Sequence, residues 1–306
     1  MILSSIKTGV AQMWANKRMV VIFFVVNFLF GLLLMLPLRA SLSNFVGRSL
    51  MGAELAGRLD MDFLFEFLNE TNITSILTSM FVVVPVFYWL ISLFLSGGAF
   101  AVFTRGETYS ARIFWGNAAN YFGRFFRLTL WSLPILAILL SLHYIGSLVQ
   151  RIIFGGDPYQ YVTYWSSWIK FGLRLIGILL FGLIFDYARI YTVLTDERKM
   201  RVSLWQGIRF AFGNFGKTVS LSLLLFVVGV VVLVIYNPIA NSLAAPNVFV
   251  IVLLFLVQQL YMFFRMMLRL TLYASETYLY QTLDREAVAE EASSATGELG
   301  IEGTPA

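Results

Sequence analysis

A short stretch near residue 186 carries charge inside an otherwise apolar part of the chain. Asp186 and Arg189 are three residues apart, so on a helix they share one face and can form an ion pair. Further along, Arg265, Arg269 and Glu276 recur at spacings that also place them on one helical face. A short carboxylate side chain within a membrane needs a charged partner or a water-filled pocket. We therefore predict a polar clasp formed by Asp186, Arg189, Arg265, Arg269 and Glu276.

Three interpretations of Asp186 are open from the sequence. A buried ion-pair network that closes one side of a helix bundle is favoured, because Arg189 is so close in the chain. A proton or ion relay is the second, since intramembrane carboxylates often mark transport pathways. The third is a residue at the water boundary with no special role.

The sequence contains little that could carry out catalysis. There is no cysteine, and the single histidine, His143, has no companion ligands with metal-binding spacing. The sequence has no Gly-x-Ser-x-Gly, no phosphate-binding loop and no pair of aspartates within its apolar runs. We therefore expect no enzymatic activity and no cofactor.

The composition is that of an integral membrane protein. Of the 306 residues, 59% are hydrophobic and 13% are charged, and the mean hydropathy is +0.79. Soluble domains carry about 25% charged residues. Apolar runs of about 20 residues predict transmembrane helices. The six predicted spans cover residues 19–38, 80–103, 128–150, 171–193, 218–236 and 247–268. The expected fold is an all-α bundle of six transmembrane helices.

The positions of lysine and arginine predict the orientation of these spans. A cytoplasmic N-terminus puts sixteen of the 22 basic residues on the inner side, as the positive-inside rule requires. We therefore expect both termini in the cytoplasm and a location in a bacterial inner membrane. Residues 1–283 form the membrane domain, and residues 284–306 are expected to be an acidic, disordered tail. The net charge of +5 comes from residues beside spans, which indicates contact with lipid headgroups and not with nucleic acid.

Two segments of the chain resemble each other at a constant offset. They are "VFTRGETYSARIFWGNAANYFGRFF" from Val102 and "VLTDERKMRVSLWQGIRFAFGNFGK" from Val193. Each follows an even-numbered span and leads into the next one, which favours an internal repeat. Apolar residues recur at helical spacing in both segments, which predicts two amphipathic elbow helices at the cytoplasmic membrane surface.

The two elbows allow two interpretations. They are either ordinary connections between spans or a pair of platforms for lipid or for a membrane-protein partner. Tryptophan suits the headgroup boundary, and arginine binds anionic headgroups. The candidate interfacial residues are Arg112, Trp115, Arg124, Trp205 and Arg209.

Two longer stretches carry a resemblance to known families. They are "LSGGAFAVFTRGETYSARIFWGNAANYFGRF" and "IFDYARIYTVLTDERKMRVSLWQGIRFAFGNFGK". Their pattern resembles six-span bacterial membrane families of unknown function, which include the membrane domain attached to some glycerophosphodiester phosphodiesterases. The resemblance implies a six-span plan over most of the chain and brings no catalytic residues. The chain has no phosphodiesterase domain, so that chemistry is not implied.

These observations lead to one expected function and one alternative. We expect a non-enzymatic multi-pass membrane protein that acts through lipid or membrane-protein interaction. The alternative is a small transporter or channel-like protein with Asp186 at a polar site. Repeat-built membrane proteins often bind substrate at the repeat interface, which supports the alternative. The scarcity of polar groups in the middle of the spans argues against it.

Overall fold

The computed structural model describes residues 1–47, 61–69, 71–155, 159–242 and 248–299. Every regular element in these ranges is an α-helix. In chain order the helices are α1 (Ile2–Ala15), α2 (Lys17–Val46), α3 (Met61–Asn69), α4 (Thr71–Arg105), α5 (Ala111–Leu140), α6 (Leu142–Phe154), α7 (Gln160–Thr195), α8 (Met200–Gly213), α9 (Phe215–Ser242) and α10 (Val248–Leu299).

Six stretches of helix are long and apolar enough to cross a membrane. They are Lys17–Val46, Leu77–Arg105, Ala111–Phe154, Gln160–Thr195, Phe215–Pro238 and Val248–Glu286. This finding confirms the prediction of an all-helical chain with six apolar spans. The helices extend beyond the predicted limits because a charge-free run marks only the apolar part of a helix. Backbone hydrogen bonding continues into the charged ends, where water or headgroups surround the side chains.

The predicted acidic tail begins as a continuation of α10. Helix α10 continues to Leu299, so helix covers residues 284–299 where the composition predicts disorder. Residues 300–306 lie outside the described part of the chain. The segment after Leu283 is rich in alanine and glutamate, which are strong helix formers. Extending an existing helix also avoids the unfavourable nucleation step that an isolated segment would face.

The chain divides into two compact units. The first comprises Met1–Ala15, Gly97–Phe226 and Leu270–Ala306, and the second comprises Asn16–Ser96 and Val227–Arg269. Aromatic side chains with no exposed surface form much of the core of the first unit, among them Phe100, Phe114 and Tyr187. The second unit contains edge-to-face aromatic contacts such as the one between Phe24 and Phe263. The charged residues of the predicted clasp fall in both units.

The first unit contains two helix–turn–helix arrangements in the two repeated segments. A short connection joins α4 to α5, and another joins α7 to α8. Gly106 and Asp196 follow the ends of α4 and α7 with φ angles of +63° and +52°. A left-handed residue at this position ends a helix and redirects the chain. The two arrangements therefore turn in the same way, which is consistent with the predicted repeat.

Small residues let the paired helices approach closely. A Cβ atom on Gly98 of α4 would lie 2.7 Å from the carbonyl oxygen of Phe114 in α5. A Cβ atom on Gly207 of α8 would lie 2.8 Å from the Cβ of Ala188 in α7. Both distances are shorter than van der Waals contact, so only glycine fits at either position. These crossings hold α5 and α8 against the helices that precede them.

The two elbows differ in one respect. The second is a separate helix, α8, which ends before Asn214. The first is the opening part of α5, which continues without interruption to Leu140 although it contains Pro134. The first repeated segment is therefore the start of a longer helix, whereas the second forms a short helix of its own. Gly213 and Asn214 stand at the end of α8, whereas the residues at the same offset in the first segment, Phe122 and Gly123, lie inside α5.

Candidate functional site

Asp186 and Arg189 form a buried ion pair within α7. Each residue has only 7% of its surface exposed, and the Arg189 guanidinium donates a hydrogen bond from Nη2 to Asp186 Oδ1. The three-residue spacing places both side chains on one helical face, as the sequence predicts. Burial of a charge is costly unless it is paired, so each residue offsets part of the cost of burying the other.

Aromatic rings surround the Arg189 guanidinium. Its central carbon lies 4.4 Å from the ring centre of Phe185 and 5.2 Å from that of Phe100. The rings of Tyr273 and Phe125 follow at 5.6 Å and 5.9 Å. These rings come from α4, α5, α7 and α10. A cation over an aromatic face is stabilised by the ring quadrupole, more strongly when water is excluded. Arg189 therefore ties four helices of the first unit together.

Glu276 adds a second carboxyl group beside this pair. It lies on α10 with 1% of its surface exposed, and Ser222 donates a hydrogen bond of 3.0 Å to its Oε1. Glu276 is close enough to Asp186 and Arg189 to interact with both electrostatically. Among the described residues, Glu276 Oε2 has no hydrogen-bond partner. Asp186, Arg189 and Glu276 are called the charged cluster below.

The two remaining residues of the predicted clasp lie in the second unit. Arg265 is exposed. Arg269 Nη2 donates a hydrogen bond of 2.6 Å to Ser92 Oγ, and its guanidinium lies 5.7 Å from the ring centre of Phe23. The prediction of one clasp with five members thus needs correction at Arg265. Helical spacing places Arg265 on the same face as Glu276, but it does not show how far along α10 other helices cover that face.

Four of the five interfacial candidates are exposed. Trp115 and Trp205 have 41% and 65% of their surface exposed, and Arg112 and Arg209 are exposed as well. Within the described ranges, neither Arg112 nor Arg209 takes part in an ion pair. The guanidinium of the exposed Arg201 on α8 lies 4.6 Å from the ring centre of Trp131 on α5. The exposed arginines and tryptophans of α5 and α8 are called the elbow surface.

Arg124, the fifth candidate, has a different role from the one predicted. It is buried, and its Nη1 donates to Asp196 Oδ1 at 2.5 Å and to the Asp196 carbonyl oxygen at 3.1 Å. The Tyr121 hydroxyl donates to the same carboxylate oxygen at 3.4 Å. The hydrogen bond from Arg124 lowers the pKa of Asp196 below its ordinary value. Arg124 therefore joins α5 to the end of α7 and does not face lipid.

A single signal in the sequence indicates this contact. Tyr121 and Arg124 are one helical turn apart and lie at the edge of the apolar stripe of α5. A tyrosine and an arginine one turn apart beside a buried apolar stripe indicate a polar partner at its margin. The partner, Asp196, is 72 positions away in the chain, and no local pattern identifies it.

A cavity of about 510 Å³ in the second unit contains three polar side chains of the spans. Asn27 of α2 and Gln258 and Gln259 of α10 line it together with apolar residues. Asn27 Nδ2 approaches the sulfur of Met262 at 3.8 Å, a weak hydrogen bond across the two helices. In the described part of the chain, no group of three or more side chains is suited to hold a metal ion.

Comparison with known proteins gives no relative from which a function could be transferred. No protein-family model, no curated protein and no solved structure matches the chain. The functional argument therefore rests on the residues and their arrangement alone.

Proposed function

We propose that this chain is a non-enzymatic multi-pass membrane protein that binds anionic phospholipid headgroups on the elbow surface. The supporting observation is the exposure of Arg112, Trp115, Trp205 and Arg209 on two neighbouring helices of the first unit. The two arginines have no carboxylate partner among the described residues, so their charges are available to a ligand. Under the proposed topology, this surface faces the cytoplasmic leaflet of a bacterial inner membrane.

The chemistry of the elbow surface fits a lipid headgroup region. Indole rings are stable at the membrane–water boundary, where the apolar ring meets lipid and the N–H meets water. Guanidinium groups bind phosphate oxygens with two donors at once. Each basic residue near an anionic leaflet contributes about 1 kcal/mol of attraction. Further basic side chains lie nearby in sequence, at Arg198, Lys199 and Arg201, and add to the positive potential.

Lipid binding in nanodiscs tests this proposal. The wild-type chain is reconstituted with equal amounts of phosphatidylglycerol and phosphatidylcholine, released into mild detergent, and its bound lipids are measured by native mass spectrometry. We expect phosphatidylglycerol to be enriched on the wild type and to fall severalfold in Arg112→Gln/Arg209→Gln. Arg39→Gln is the matched control, because it removes an exposed charge from the C-terminal part of α2, which does not contribute to the elbow surface. Equal lipid ratios in all three proteins would contradict the proposal.

A small transporter is the second candidate function. The observation in its favour is that the charged cluster holds two carboxyl groups and one guanidinium, with one Glu276 oxygen unpartnered within the described residues. Its residues are almost fully buried, however. None of them lines the cavity of about 470 Å³ in the first unit or the cavity of about 510 Å³ in the second unit. A closed cluster is better suited to hold helices together than to pass an ion.

Proton flux distinguishes the two candidates. Liposomes loaded with a pH-sensitive dye report whether a proton gradient decays faster when wild-type protein is present. The interaction hypothesis predicts no difference from protein-free liposomes and none between wild type and Asp186→Asn. A flux that requires Asp186 in a variant that still folds would favour the transporter.

A further inference from the structure

Helix α6 and the first half of α7 enclose a pocket that none of the functions above uses. The cavity has a volume of about 470 Å³, in the range of small-ligand sites. Apolar side chains form most of its wall, including Ile145, Val149 and Val162. Gly146 permits the close approach of the two helices, since a Cβ atom there would lie 3.3 Å from Lys170 Cγ. The entire pocket belongs to the first unit.

One side of this pocket is polar, where Gln150 and Ser166 line it, and the cation Lys170 contacts this side from beside the lining. Gln150 Oε1 accepts hydrogen bonds from Ser166 Oγ at 2.6 Å and from Lys170 Nζ at 2.8 Å. Ser166 has only 7% of its surface exposed, and Lys170 is half-buried. An ammonium group has three donors, and no carboxylate pairs with Lys170 among the described residues. A half-buried cation beside an apolar cavity favours a ligand with an anionic group and an apolar body.

Aromatic residues place the pocket at the level of lipid headgroups. Tyr161 and Trp165 line it, and their surfaces are 72% and 51% exposed. Tyr159, Tyr164 and Trp168 are exposed on the same stretch of chain. Exposed tyrosine and tryptophan concentrated at the start of an apolar span are typical of the membrane–water interface. At this depth a phosphate group and the upper part of an acyl chain lie side by side.

We propose that this pocket binds one anionic phospholipid of the surrounding membrane. Its phosphate group accepts hydrogen bonds from Lys170, and one acyl chain lies along the apolar wall formed by Ile145, Val149 and Val162. The charge of Lys170 selects a lipid with net negative charge over a zwitterionic one. The site is separate from the elbow surface, and the proposal does not rest on that surface.

Native mass spectrometry of the full chain with phosphatidylglycerol tests the proposal. We expect one tightly held lipid on the wild type, with an apparent Kd about tenfold higher in Lys170→Met, which keeps the apolar stem and removes the charge. Val162→Trp, which fills the cavity, should also weaken binding. Arg174→Gln is the matched control. It removes an exposed charge one helical turn from Lys170, and among the described residues only Lys170 of the two donates a hydrogen bond to the pocket residue Gln150. The double variant Arg112→Gln/Arg209→Gln should retain this lipid, which separates the pocket from the elbow surface.

Quenching of tryptophan fluorescence gives a second measurement that does not depend on an altered pocket charge. Phosphatidylglycerol with a brominated acyl chain should quench the wild type more than Trp165→Phe, and Trp168→Phe should behave like the wild type. Equal affinity of wild type and Lys170→Met, or equal loss in Arg174→Gln, would overturn the proposal. So would equal binding of phosphatidylcholine, because it would show that negative charge is not recognised.

Discussion

Arg124 of α5 binds both the side chain and the backbone of Asp196, the residue that follows α7. Its Nη1 lies 2.5 Å from the carboxylate oxygen and 3.1 Å from the carbonyl oxygen. The Arg124 side chain is 10% exposed, whereas that of Asp196 is 60% exposed. Asp196 has a φ of +52°, so this one guanidinium stabilises the left-handed turn from α7 into α8.

The first prediction concerns the strength of this contact. Asp196→Asn keeps the shape of the side chain and its tolerance of the left-handed conformation, and it removes the charge. We expect the free energy of unfolding to fall by about 1 kcal/mol, because Arg124 stays buried with a weaker partner. Thermal unfolding in detergent micelles measures the change. Glu107→Gln, an exposed acid in the other connection, is the control, and an equal loss there would show that the effect is not specific.

The second prediction concerns pH. The hydrogen bond from Arg124 lowers the pKa of folded Asp196. The ion pair therefore contributes its full stabilisation above the unfolded pKa of about 4 and loses it as the pH falls through the lower, folded value. We expect the stability difference between wild type and Asp196→Asn to be constant from about pH 5 to 8 and to shrink towards zero in stronger acid. Unfolding curves recorded across this range decide the point, and a difference that varies near neutral pH would contradict it.

Much of the fold could be predicted from the sequence because it depends on local chemistry. Six apolar runs require six helices, since a backbone in lipid must satisfy its own hydrogen bonds. The ends of the helices are less predictable, as α10 shows by continuing to Leu299. Composition favours disorder there, but the segment adjoins an existing helix of good helix formers. A window of local sequence does not contain that information.

The charged cluster was likewise predictable from the sequence only where it depends on local spacing. The pairing of Asp186 with Arg189 follows from a spacing of one helical turn. Three of the four rings around Arg189 could not be predicted, because Phe100, Phe125 and Tyr273 come from helices far apart in the chain. Arg265 satisfies the spacing rule and is nevertheless exposed. Periodicity assigns a residue to a face of its helix, whereas tertiary packing determines which part of that face is covered.

The third prediction tests the ion pair within α7. Removing either partner leaves an uncompensated charge in the core, so Asp186→Asn and Arg189→Met should each lower the free energy of unfolding by about 3 kcal/mol. The double variant leaves no unpaired charge between these two positions. We expect its loss to be smaller than the sum of the single losses, as measured by a double-mutant cycle in detergent.

An exposed arginine on the same helix is the control for that cycle. Arg174→Met removes a charge from α7 outside the core, and we expect its effect on stability to stay within about 0.5 kcal/mol. Exact additivity of Asp186→Asn and Arg189→Met would contradict the prediction, because it would mean that the two side chains contribute independently.

The last prediction uses two glycines that correspond in the repeat. A Cβ atom on Gly207 would lie 2.8 Å from both the Cβ and the backbone nitrogen of Ala188, whereas one on Gly116 would have no atom within 4 Å. Gly207→Ala should therefore force α7 and α8 apart and lower the free energy of unfolding by about 1–3 kcal/mol. Gly116→Ala should be neutral or stabilise by up to about 1 kcal/mol, because alanine is the better helix former. Thermal unfolding of both variants compares one substitution in two environments. If both alanines stabilise the protein to the same extent, the close approach of α7 and α8 is not what holds the second elbow in place.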